Sequence, residues 1–144
     1  MKMKNQPLKH LFAYGTLMCE DIMEEVSGFR PEHVPGILSG YSRRAVKGEY
    51  YPAIVPDREE SVDGVLYLNV PAPAWDRLDR FEGEMYERRS VRIMLAYGST
   101  AFAAVYLTKP EFLSHLEAAR WDFDSFLKHG KFFFQEQYKG YQSL

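Results

Sequence analysis

The chain has 144 residues, 46% of them hydrophobic and 26% charged, so it is read as one folded domain over 1–144 and not as a disordered segment. A net charge of −2 leaves no basic footprint for nucleic acid, and no apolar run approaches the roughly 20 residues that cross a bilayer. The single cysteine, Cys19, excludes an internal disulfide framework and any multi-cysteine metal site. The basic opening MKMKNQPLKHLFAY has no sustained apolar stretch, so no signal peptide is expected and a cytoplasmic protein is. Aromatic residues make up 15%, which favours a strand-rich core or an aromatic-lined pocket; without a Lys/Arg groove they do not make a platform for single-stranded bases.

In chain order, LFAY (Leu11 to Tyr14) reads as a short buried strand ended by Gly15 and Thr16. Cys19 to Val26 reads as a short helix stopped at Ser27-Gly28. VPGILSGYSRRAV, from Val34, reads as a strand whose glycines mark bulges or bends. YYPAIVPD, with its two prolines, reads as an edge or irregular strand, and Ser61 to Val70 alternates as a sheet strand does. A helix follows from about Pro73 to Glu82, with proline in its first turn and Gly83 just past its last. RRSVRIMLA and TAFAAVYL, joined at Tyr97-Gly98-Ser99, read as an antiparallel hairpin. From Pro110 onward the spacing of Phe112, Leu113, Leu116, Phe123, Phe126 and Leu127 predicts helix, with Gly130 dividing two C-terminal helices. The sum is an α+β chain: an antiparallel sheet or small barrel with helices on its outside and end.

Within PAPAWDRLDRFEG, one acid stands apart from the others. With Trp75 set at 0° and about 100° per residue, Leu78 falls near 300°, Phe81 near 240° and Glu82 near 340°. Asp76, Asp79, Arg77 and Arg80 fall between about 40° and 200°. Glu82 therefore lies inside the apolar stripe, where loss of water raises a carboxyl pKa toward the range of an acid/base catalyst. Three other readings stay open at this point: pairing with Arg88, Arg89 or Arg92, a sideways lean into solvent, or the neighbouring Glu84 taking the role from its turn after Gly83. Tyr86 begins the next strand and either aims its hydroxyl over the same pocket or is an ordinary strand residue.

The second feature is FAYGTLM, an apolar strand running into Gly-Thr and then a helix. Consecutive N–H groups at Gly15, Thr16 and Leu17 offer a site for a carboxylate. The alternative is a tight turn in which Thr16 caps the next helix. His10, His33, His115 and His129 share no metal-ligand spacing, and Cys19 beside Glu20 and Asp21 has a disfavoured thiolate and reads as a packed thiol. There is no GxGxxG, P-loop or GxSxG. KFFFQEQYKGY reads as core packing by a terminal helix, or as exposed aromatics on a partner surface.

The YGTL turn and LDRFEGEMYERRSV, with YPAIVP, GVLYLNV and AVYL around them, resemble the γ-glutamylcyclotransferase-like, or AIG2-like, family over roughly residues 11 to 108. The helical C-terminus looks like the plant and bacterial AIG2-like branch. The resemblance implies a small mixed or antiparallel β-barrel with flanking helices. It also implies an enzyme that needs no metal or organic cofactor, cyclises a γ-glutamyl group to 5-oxoproline and releases an amine or amino acid. On that resemblance Glu82 is the acid/base residue. Tyr14, Gly15, Thr16 and Leu17 hold the γ-glutamyl moiety, and Tyr86 lies by the pocket. The expected partner is then a small γ-glutamyl-type substrate, with neither nucleic acid nor membrane; oligomeric state is not specified. Many family members follow YGTL with an Arg and a later Asn, whereas this chain reads YGTLMCEDIM, so the leaving-group side is expected to differ. A non-catalytic ligand-binding or partner-binding domain of the same fold is the alternative.

Overall fold

The computed structural model describes residues 9–144. Strand β1 (Lys9–Ala13) leads through a 3-10 turn (Thr16–Met18) into α1 (Glu20–Ser27), and β2 (His33–Val46) and β3 (Pro52–Val70) follow. Then come α2 (Ala72–Glu82), β4 (Tyr86–Met94) and β5 (Thr100–Thr108). Hydrogen-bonded neighbours run β3-β1-β5-β4-β2, and β2 pairs again with β3, so five strands close on themselves. The β1–β5 pair is parallel and the others are antiparallel, so the barrel is mixed.

Alternation along β1 explains how the barrel and its helices share one strand. Phe12 and Tyr14 join Leu38, Ile54, Val62, Leu66, Ile93 and Val105 in a core fed by every barrel strand, the interior. Leu11 and Ala13 face the other way, with Ile22, Met23 and Val26 of α1 and Trp75, Leu78 and Phe81 of α2. The helices cover that side of β1, and the YGTL turn singled out from the sequence follows its end.

YYPAIVPD and the Ser61–Val70 segment form one continuous strand, β3, and not two. It pairs with β2 in two arms, Ser39 opposite Ser61 and Tyr41 opposite Pro56. Between them β2 turns at Gly40, whose φ of +88° a side chain would resist, and residues 57–60 of β3 lie opposite as a bulge with no register partner on β2. The proline thus sits at the bend, where a lost donor costs no ladder bond.

The predicted hairpin forms as expected, with Tyr86 to Met94 paired to Thr108 to Thr100. The region after Pro110 departs from its helical spacing. A 3-10 segment (Pro110–His115) gives way to β6 (Leu116–Arg120), which pairs with β2 outside the barrel. Its LEAAR sequence favours helix, but the end of β2, paired with β3 on one side only, offers its other edge as a ladder, and tertiary pairing overrides propensity. Beyond it, α3 (Phe123–Ser125) passes through a wide turn (Phe126–Gly130) into α4 (Lys131–Gln137) and a final 3-10 turn (Lys139–Ser143). Gly130 keeps helical dihedrals; instead of dividing two helices, it lets the turn approach the Tyr50 ring, which an added Cβ would meet at 3.1 Å. Among the described residues no helix is long and apolar enough to cross a membrane.

Candidate active site

The end of β1, the last turn of α2, the start of β4 and the C-terminal segment converge on one cavity of about 40 Å³, room for a few water-sized groups. All six residues singled out from the sequence, Tyr14, Gly15, Thr16, Leu17, Glu82 and Tyr86, line it. Glu84 is exposed in the turn and does not.

Glu82 reaches the cavity because α2 keeps its register to the last residue. Trp75, Leu78 and Phe81 are buried on the covered face, and Glu82 follows them around the same stripe. Gly83 ends the helix with φ +83°, and its N–H closes onto the Asp79 carbonyl at 3.1 Å. Burial, and secondarily the charge of Asp79, pushes the Glu82 carboxyl up from 4.5 to about 8. The side chain keeps partial access to solvent through the cavity while protein encloses it elsewhere.

The arginines that competed for Glu82 are engaged elsewhere. Arg88 lies 3.3 Å from Asp79 and stacks over the Trp75 ring at 4.8 Å. Arg89 pairs with Glu87 at 2.7 Å, and Arg92 covers Phe102 at 5.2 Å. Among the described residues no hydrogen bond or ion pair takes up the Glu82 carboxyl group.

The opposite wall is the YGTL turn. Met18 and Cys19 donate back to Gly15 and Thr16, but among the described residues the N–H groups of Gly15, Thr16 and Leu17 have no acceptor. Gly15 is required here by space: a Cβ would lie 2.8 Å from Pro52 Cγ. Thr16 does not cap α1, whose N-cap is Cys19 with no side-chain cap, because the intervening 3-10 turn moves the helix start three residues on. From outside, Arg43 Nη1 donates to the Tyr14 carbonyl at 2.9 Å and fixes the turn to β2. Burial pushes the Cys19 thiol up to about 11, so it stays a packed thiol.

The tyrosine hydroxyls form the scaffold. Tyr14 donates to the Tyr106 carbonyl at 2.6 Å, and Tyr86 to the Pro52 carbonyl at 2.8 Å. Tyr106 donates to Asp79 Oδ1 at 2.7 Å. Burial raises all three above the ordinary tyrosine value, so each stays a donor. Tyr86 thus spends its hydroxyl on backbone and gives the cavity its ring.

Sequence reading did not assign Tyr51, Tyr106, Phe134 or Tyr138 to the site, yet each lines the cavity. Tyr106 had a signal, since it faces Arg88 across the predicted hairpin. Phe134 and Tyr138 come from the aromatic tail, where buried Phe134 and partly buried Tyr138 stack at 4.7 Å while Phe132 and Phe133 stay exposed. Helical spacing there marked a packed face, without indicating what it packs on.

The closed mixed barrel, its flanking helices and the C-terminal helix define the class: the chain has the fold of a solved gamma-glutamyl cyclotransferase, with a TM-score of 0.64 over 76% of this chain and 68% of that one. At 16% identity that likeness concerns the fold alone. The chain belongs to the gamma-glutamyl cyclotransferase, AIG2-like, family, whose model matches residues 11–123. It is 32% identical to AIG2-like protein C of Arabidopsis thaliana over 122 residues, covering 84% of this chain and 70% of that protein. It spans 51–59% of the length of several further Arabidopsis relatives. A protein of the same plant solved in solution superposes with a TM-score of 0.68 at 26% identity, over 94% of this chain and 92% of its own.

Proposed function

We propose that this protein is a γ-glutamyl cyclotransferase-type enzyme in which Glu82 is the general acid/base. The observation that carries this reading is an unpaired carboxyl group, poised at about 8, in a cavity faced by unpaired amides. The α-amine of a γ-glutamyl compound gives a proton to Glu82, and its nitrogen attacks the γ-carbonyl carbon. A C–N bond forms to close the ring. The C–N bond to the leaving amine then breaks as Glu82 returns the proton to the departing nitrogen. The products are 5-oxoproline and a free amine, with no water consumed. One carboxyl group near the working pH serves both transfers.

Nucleophile and electrophile lie in one molecule, so the protein has mainly to hold the chain folded, and such orientation contributes on the order of 7–11 kcal/mol in favourable cases. The N–H groups of Gly15, Thr16 and Leu17 hold the substrate's α-carboxylate or the developing oxyanion, while Tyr14 and Tyr86 shape the walls. The direct test is 5-oxoproline release from a panel of γ-glutamyl compounds. Glu82→Gln, which keeps the shape, should lower turnover by at least about 10³-fold. Full turnover in that variant would overturn the assignment. Saturable binding without turnover in wild type would mark a ligand-binding member instead.

A further inference from the structure

The three amides of the YGTL turn that have no acceptor among the described residues each belong to a peptide unit whose carbonyl end is engaged. The Gly15 carbonyl, behind the Thr16 N–H, accepts from the Met18 N–H at 3.0 Å. The Thr16 carbonyl, behind the Leu17 N–H, accepts from the Cys19 N–H at 3.1 Å. The Tyr14 carbonyl, behind the Gly15 N–H, accepts instead from a charged donor, Arg43 Nη1 at 2.9 Å. That peptide is trans, so its N–H points away from the guanidinium, on the opposite side of the same plane.

Arg43 is held firmly at this contact. Its side chain is only 17% exposed; Nη1 also donates to the Asp63 carbonyl, and Nη2 meets Asp63 Oδ1 at 2.9 Å. The Trp121 ring, which follows β6, lies 5.7 Å from the guanidinium carbon. Nε is buried with no acceptor among the described residues, which costs stability, so packing alone does not account for an arginine here. The Asp63 side chain is 85% exposed and screened by water, which leaves much of the charge to the Tyr14 carbonyl. A cation on a carbonyl favours the resonance form with a positive nitrogen, and so strengthens the N–H of the same peptide as a donor.

We propose that Arg43 is a positioning residue: acting through the Tyr14–Gly15 peptide bond, it aims and polarises the Gly15 N–H and makes it the strongest of the three anion donors at the cavity. The guanidinium does not itself line the cavity. The proposal rests on the cyclotransferase reading for the identity of the anion, the substrate's α-carboxylate or the oxyanion formed at its γ-carbonyl.

Three variants test it. Arg43→Gln keeps a neutral donor, Arg43→Lys keeps a cation, and Asp63→Asn removes the neutralising carboxylate at an exposed position. In proton–nitrogen correlation spectra the Gly15 amide proton should move upfield in Arg43→Gln and stay near wild type in Arg43→Lys. In Asp63→Asn it should move downfield, a gain that structural damage does not produce; Thr16 and Leu17 should move less in each. With the γ-glutamyl compound that wild type turns over best, kcat/KM should fall about tenfold or more in Arg43→Gln and recover to within about threefold of wild type in Arg43→Lys. Equal displacement of all three amides marks a loosened turn and overturns the proposal, as does a Gly15 proton that Arg43→Gln leaves in place. Undiminished turnover in Arg43→Gln keeps the reaction and removes Arg43 from it. If no γ-glutamyl compound is turned over, the reaction falls, and titration with 5-oxoproline still decides the role of Arg43. Affinity about tenfold weaker in Arg43→Gln then supports it, and equal or absent affinity overturns it.

Discussion

Asp79 and Glu82 stand on the same face-edge of α2, three residues apart, and of the two carboxylates only Asp79 is partnered among the described residues. Tyr106 donates to its Oδ1 at 2.7 Å, and Arg88 approaches its Oδ2 at 3.3 Å. After burial, the charge of Asp79 is what holds the Glu82 carboxyl up at about 8. Asp79→Asn removes the repulsion and frees the Arg88 charge, and both changes favour ionised Glu82. If ionised Glu82 starts the reaction, kcat/KM rises with pH through an inflection near 8 in wild type. In the variant that inflection should move down by roughly half a unit to one unit. A pH–rate profile identical in the two proteins would remove Asp79 from this role.

The same carboxyl makes folding pH-dependent, and the sign differs from that of a salt-bridged acid. Below its ordinary value of 4.5 Glu82 is protonated in both states and costs nothing. Between 4.5 and about 8 the unfolded chain ionises while the folded chain holds its proton, so stability falls as pH rises. Above about 8 the loss is complete. Glu82→Gln never incurs it. That variant should therefore match wild type near pH 4 and exceed it by about 2–4 kcal/mol at pH 8, allowing for partial solvent access. Thermal unfolding at the two pH values checks this, and an equal gain at both would assign it to packing.

Much of this was legible where local chemistry and tertiary structure agree. The α2 wheel located Glu82 because a helix bounded by proline and glycine keeps its register, and the hairpin at Tyr97-Gly98-Ser99 formed as spaced. Elements decided by distant partners were not legible. LEAAR became strand because β2 had a free ladder, and the two halves of β3 joined because Gly40 on another strand supplied the bend. The Arg88–Asp79 pair, which leaves Glu82 free, depends on side chains meeting across α2 and β4. Tyr51 and Tyr138 reach the cavity only after the barrel closes and the tail folds back, and no spacing encodes that.

Gly15 tests the amide wall without touching the acid. A methyl group there would lie 2.8 Å from Pro52 Cγ and 2.9 Å from Cδ, and the ring is fixed between β3 and the Tyr86 hydroxyl that binds its carbonyl. The turn must shift by several tenths of an ångström, which misaligns three N–H groups at once. Gly15→Ala should cost about 1–3 kcal/mol of stability and at least about tenfold in kcat/KM. The pH inflection assigned to Glu82 should stay in place, since its surroundings are unaltered. A shifted inflection with intact turnover would mean that the turn acts through the acid instead.

Gly140 tests whether the tail is part of the site. It is buried beneath α2, and a Cβ there would run into the Phe81 carbonyl and the Tyr138 ring. The Phe81 carbonyl is backbone at the end of α2 and already accepts from Tyr138, so it cannot yield cheaply. Gly140→Ala should therefore lift the final 3-10 turn and weaken the hold of Tyr138 on Phe81 and Glu82. A stability loss of about 1–3 kcal/mol is expected, against less than about 0.5 kcal/mol for Lys139→Ala at the exposed neighbour. As the tail lifts, water reaches Glu82 and its pKa falls, so any pH–rate inflection moves below 8 together with the stability loss. If stability falls and the inflection stays, the tail braces the fold without sheltering the acid.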